Sequence, residues 1–189
     1  LNNKIIKTEL IHQNNSGIQG FAFNTRRNIF KDINLRKAIT NIFDFEWSNK
    51  NLFYNQYLRS NSYFSNSELS SETNVTSAEI ELAKKLSIDR YRVKNKNKLP
   101  IHDSPKSFRE SLIKSKRLLD QSGYYVKDNQ LYSPTDTPIN INFLLAQKGF
   151  ERILAPFKNN LKRLGINMNY RTVDLSLYQQ RLDNYNFDM

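Results

Sequence analysis

Between Pro138 and Asp174 the chain carries the pattern that most limits its fold. "ININFLLA" puts Ile139, Ile141, Phe143 and Leu145 on one face of a strand. A helix from about 149 to 164 follows, with Ile153, Leu154, Phe157, Leu161 and Leu164 apolar at helical spacing. Pro156 should kink this helix or sit in its first turn, and Gly165 ends it. "INMNYRTV", 166 to 173, alternates again. Strand, helix and strand with short joins form a βαβ unit, whose strands must run parallel with a right-handed crossover. The fold class is therefore α/β, with the unit at about 139–173.

The rest of the chain is read around that unit. "KIIKTELI", 4 to 11, reads as extended, and "GIQGFAFN", 17 to 24, as a strand. Asp32 caps a helix with Leu35, Ala38, Ile39, Ile42 and Phe43 on its buried face. A second short helix is expected from Ser48, burying Leu52 and Phe53, with Phe45 and Trp47 anchored to the same core. Residues 55 to 76 show no period and read as loop, and Thr76 with Glu79 makes a capping box for another helix. Ser104 followed by Pro105 opens a strong helix that buries Phe108, Leu112, Ser115 and Leu119 and stops at Gly123. "YYVKDNQLYS", 124 to 133, is a hairpin turning at Asp128-Asn129. Asp174 caps a last helix through Leu182.

Chemistry that needs particular residues is thin. There is no Cys, so disulfides and thiolate metal sites are excluded. His12 and His102 have no second ligand at metal spacing, and both read as surface or hydrogen-bonding residues. "HDS", 102 to 104, cannot form a relay from adjacent residues and reads as a loop before a helix cap. Asp44 and Glu46 stand too close along the chain to face each other across a substrate. The chain has five Gly and no phosphate-loop motif. Neither an enzyme nor a cofactor is expected.

The net charge of +11 admits nucleic acid as a partner. The competing reading is general over-use of Lys and Asn, since Lys and Arg cluster only in "RVKNKNK", 92 to 98. "NKNLFYNQYLRSNSYF", 49 to 64, mixes aromatics with cations as a base-stacking surface would, but no nucleic-acid-binding motif accompanies it. No run reaches the about eighteen apolar residues of a membrane span. The first residue is Leu1 and the last stretch is "NFDM", so the chain is read as an interior segment of a longer protein.

Four collinear stretches carry a resemblance. "GFAFNTRRNIFKDINLRKAITNIFDFEW" resembles a segment of the bacterial extracellular solute-binding proteins of family 5, the peptide- and nickel-binding subunits of ABC importers. "NKNLFYNQYLRSNSYFSNSEL" is similar to their oligopeptide and microcin C-type branch. "SKRLLDQSGYYVKDNQL" looks like the family's helix, turn and hairpin, with Ser122-Gly123-Tyr124 replacing the usual Ala-Gly-Trp. "FERILAPFKNNLKRLGINMNYRTVDLSLYQQRLDNYNFDM" resembles its βαβ and Gln-Tyr-x-x-Arg helix.

The resemblance implies a periplasmic-binding-protein lobe of type II. Residues 1–189 would form most of the C-terminal lobe, incomplete, with 1–24 entering from the hinge side and the lobe truncated after 189. It further implies a monomeric, periplasmic component that binds short peptides or peptide-like solutes and hands them to permease subunits in the inner membrane. A basic nucleic-acid-binding domain is the alternative. The implied ligand-facing residues are Phe21, Phe23, Asn24 and Arg26 in the first motif, with Tyr63 and Phe64 in the second. Phe21 and Phe23 would pack on ligand side chains, Asn24 would bond ligand backbone, and Arg26 would meet a carboxylate. The competing readings are core burial for the two Phe, a turn role for Asn24 and a surface charge for Arg26. Arg36, Asp44, Tyr178 and Arg181 match motifs that imply structural roles.

Overall fold

The alternation of Ile139, Ile141 and Phe143 produces a strand, β3 (Asn140–Leu145), which pairs parallel with β4 (Asn167–Thr172) in the register Ile141 to Met168. This is a computed structural model, and it describes residues 8, 10, 14, 17–65, 67–70, 75–88 and 99–189. Two hairpin strands precede β3, namely β1 (Tyr125–Lys127) and β2 (Gln130–Tyr132). Asp128 and Asn129 between them both adopt positive φ, 49° and 61°, the conformation of the tightest hairpin turns. The helices are α1 (Ile33–Asn41), α2 (Phe45–Leu52), α3 (Ser77–Lys85), α4 (Pro105–Gln121), α5 (Glu151–Lys162) and α6 (Leu175–Asp183). Contacts divide the chain into one unit of 1–20 and 60–96 and another of 21–59 and 97–189.

The larger unit holds the core. Leu35, Ala38 and Ile39 of α1, Leu119 of α4, Leu154, Phe157 and Leu161 of α5, Ile141 and Phe143 of β3 and Met168 of β4 belong to one apolar cluster. Ser115 is fully buried, and its hydroxyl lies 3.0 Å from the Ala38 carbonyl and 2.9 Å from that of Ser111. A side chain this small lets α4 approach α1 closely. Ser104 caps α4 with Pro105 in its first turn, and Asp32 and Asp174 cap α1 and α6.

Gly165 joins α5 to β4 at φ +79°, and a Cβ there would stand 2.8 Å from the Leu131 backbone nitrogen. That approach lets Leu131 N–H donate to the Gly165 carbonyl at 2.7 Å and locks the hairpin onto the βαβ unit.

Several sequence expectations change. Residues 17–24 do not form a regular strand. The second helix begins at Phe45 under an Asp44 cap, and Ser48 lies inside it, its hydroxyl donating to the Asp44 carbonyl at 2.7 Å. Trp47 is exposed rather than anchored. Pro156 is the sixth residue of α5, beyond its first turn, and a short 3-10 turn at Lys148–Phe150 leads into that helix. The extended stretch at 4 to 11 and the basic run at 92 to 98 fall largely or wholly outside the described residues. No helix among the described residues is long and apolar enough to cross a membrane.

Candidate functional site

The segment 21–27 is fixed by the far end of the chain. Asn24 is buried, and its side-chain amide donates to the carbonyls of Tyr185 at 3.0 Å and Phe187 at 2.8 Å. Its Oδ1 accepts from the Arg26 N–H at 3.2 Å, and its own N–H donates to the Asp188 carbonyl at 2.9 Å. Asn24 thus combines the turn role with a clamp, and both amide protons are already committed. Arg27 adds a bond to the Phe187 carbonyl at 3.3 Å and an ion pair with Asp188 at 3.4 Å.

Asp188 in turn holds β3. Its Oδ2 accepts the Asn142 N–H at 2.9 Å, and the Leu144 N–H donates to the Met189 carbonyl at 2.9 Å. Residues 188–189 therefore lie along β3 between it and Asn24. The bonded order is Asn24, tail, β3, β4, so Asn24 meets the tail and not a named strand.

The two candidate Phe pack inward. Phe21 meets Phe143 edge-on at 4.9 Å and Phe43 at 5.4 Å, with Phe157 at 6.0 Å, and Phe23 meets Phe30 at 5.1 Å. Both rings remain half-buried, so each keeps an open portion. Arg26 is exposed and stacks its guanidinium 3.7 Å above the Tyr185 ring, whose backbone has φ 52°. This contact presents a flat cation beside an aromatic, a pairing suited to a carboxylate. Tyr63 and Phe64 belong to the smaller unit and are exposed on a turn closed by Ser62 and Ser65 hydroxyls.

Sequence reading missed Tyr185, Phe187 and Asp188 as partners of this segment. It also missed a second cluster. His102 is buried, with Nε2 3.0 Å from Ser111 Oγ and Nδ1 facing Asp44 and Glu46. Burial holds the ring below the ordinary imidazole value, against the opposing pull of Asp44 and Glu46. Arg59 stands 3.6 Å from Glu46 and donates to the Pro100 carbonyl at 2.7 Å; burial lowers its pKa while Glu46 opposes the shift.

The match to the family described as "Bacterial extracellular solute-binding proteins, family 5 Middle" runs over residues 2–189. The chain belongs to this family. It is 35% identical over 191 residues to the uncharacterized protein YejA of Escherichia coli K12, and 33% identical over 193 residues to the probable peptide-binding protein YejA of Agrobacterium fabrum C58. Each alignment covers 98% of this chain but 31% of the relative, so the chain spans about a third of their length. Among solved structures, the oligopeptide-binding protein AppA from Bacillus subtilis, in complex with a nonapeptide, is similar with a TM-score of 0.62 at 19% identity. That likeness covers 88% of this chain and 28% of AppA. It establishes the fold, a mixed helix and strand arrangement like that of type II periplasmic binding proteins.

Proposed function

We propose that this chain is part of the substrate-binding component of an ABC importer. The whole protein binds short peptides or peptide-like solutes in the periplasm and delivers them to permease subunits in the inner membrane. It acts as a monomer and catalyses no reaction. The observation that carries this reading is the family match across nearly the whole chain, joined to relatives named as binding proteins.

The open portions of Phe21 and Phe23 contact ligand side chains, and Arg26 meets a carboxylate of the solute. Asn24 supports that surface by holding its backbone against residues 185–188, instead of bonding ligand directly. Within the smaller unit, taken by itself, the exposed rings of Tyr63 and Phe64 are candidates for aromatic ligand contact. An extended peptide can be gripped through its backbone while its side chains sit in wet pockets, so affinity tolerates varied sequences. Ligand that binds the closed form better shifts the population toward it, and the permease reads that form.

The test is mass spectrometry of small molecules released by denaturing the full-length protein after purification from a bacterial periplasm. Short peptides or amide-containing solutes at near one per chain are expected. Co-purified oligonucleotide in their place would favour the basic-domain alternative.

A further inference from the structure

The start of α2 and the loop ahead of α4 bring together three side chains that the sequence keeps far apart. Asp44 is the cap of α2, Glu46 lies in its first turn, and His102 is two residues before the α4 cap. One ligand atom from each lies within 4.8 Å of the others. His102 is 5% exposed, and its Nδ1 has no hydrogen-bond partner among the described residues. That nitrogen points at Asp44 Oδ1 at 3.8 Å and Glu46 Oε2 at 3.9 Å. Both gaps are too long for a hydrogen bond.

We propose that Asp44, Glu46 and His102 form a binding site for one divalent transition-metal ion, with Zn2+ as the representative. Imidazole and carboxylate together suit such ions. Zinc bonds of about 2.0–2.2 Å set ligand atoms roughly 3.3–3.6 Å apart in a tetrahedron. The two gaps to Nδ1 need only a small contraction to reach that spacing, and the carboxylate oxygens, within 4.8 Å of one another, would draw together as well. A metal ion between the buried nitrogen and the two carboxylate oxygens would satisfy all three at once.

The surroundings support the ligand roles. Ser111 Oγ, 3.0 Å from Nε2, fixes the ring orientation from behind, and a metal at Nδ1 requires the tautomer in which Nε2–H donates to that hydroxyl. Asp44 Oδ1 already accepts the Trp47 N–H at 3.0 Å and Glu46 Oε2 the His102 N–H at 2.9 Å. Each carboxylate keeps spare lone pairs, and these bonds hold both in place. Arg59 works against the ion from 3.6 Å beyond Glu46 Oε1, so the affinity is moderate.

The experiment is calorimetric titration of the full-length, EDTA-stripped protein with ZnCl2, repeated with Co2+ while the visible absorption of the bound ion is followed. Wild type is expected to take up one ion per chain at this site, with a Co2+ band that His102→Gln removes. Asp44→Asn keeps a good helix cap and Glu46→Gln keeps an acceptor for the His102 N–H, so both should fold. Each is expected to weaken Zn2+ binding by about tenfold or more. The proposal is overturned if wild type binds no Zn2+. It is equally overturned if Asp44→Asn and Glu46→Gln, folded by circular dichroism, bind it as wild type does.

Discussion

Asn24 donates its side-chain amide to the Phe187 carbonyl at 2.8 Å across a separation of 163 residues. This bond, with its companion to Tyr185, ties the buried side chain of the 21–27 segment to the far end of the chain. Asn24→Ala removes a buried group and its bonds to two carbonyls, leaving that of Tyr185 without its side-chain donor while that of Phe187 keeps Arg27. A loss of about 1–3 kcal/mol in unfolding free energy is expected from urea denaturation. Arg27→Ala, which loses only an exposed ion pair and its bonds, should lose less than about 1 kcal/mol.

Gly165 faces the hairpin so closely that a methyl group has no room. Gly165→Ala combines positive φ with a Cβ 2.8 Å from the Leu131 nitrogen and 3.2 Å from the Gln130 carbonyl carbon. The backbone term alone is about 1–2 kcal/mol, and the clash adds to it. Gly149→Ala meets nothing within 4 Å and serves as the control. Its unfolding free energy should stay within about 0.5 kcal/mol of wild type.

These two sites also separate what a sequence can reveal from what it cannot. The βαβ unit, the Asp128-Asn129 turn and the caps at Asp32, Ser104 and Asp174 are local patterns, and the structure forms them where the periodicity puts them. The role of Asn24 was hidden because its partners lie near the other end of the chain. Asp44 and Ser48 both suit a helix cap. The choice between them fell to Asp44, whose carboxylate takes the Trp47 N–H, while Ser48 bonds back inside the helix. His102 and Glu46 are 56 residues apart, so no spacing rule could join them.

His102 should make stability depend on mild acidification. The unfolded ring takes up its proton near 6.5, whereas the folded ring does so only at lower pH because it is buried. Between those two values the unfolded state binds more protons, so stability falls as pH falls through that window. Below the folded value the slope from this residue ends. Urea midpoints measured from pH 7.5 downward should decline in wild type and decline less steeply in His102→Gln.

Arg26 is exposed and makes its ring contact with Tyr185, so its removal should spare stability. Arg26→Ala is expected to weaken binding of a peptide with a free carboxylate by roughly fivefold, the worth of about 1 kcal/mol from one charged contact. The same peptide amidated at its C-terminus should lose less on this substitution. Calorimetry on both peptides provides the comparison.

The most direct measurement is isothermal titration of the full-length protein with defined short peptides, two to nine residues long in varied sequence. Saturable binding at one peptide per chain, with affinity nearly independent of side-chain identity and a fall in heat capacity, is the expected result. No heat with any peptide, together with salt-sensitive binding to single-stranded DNA or RNA, would contradict it.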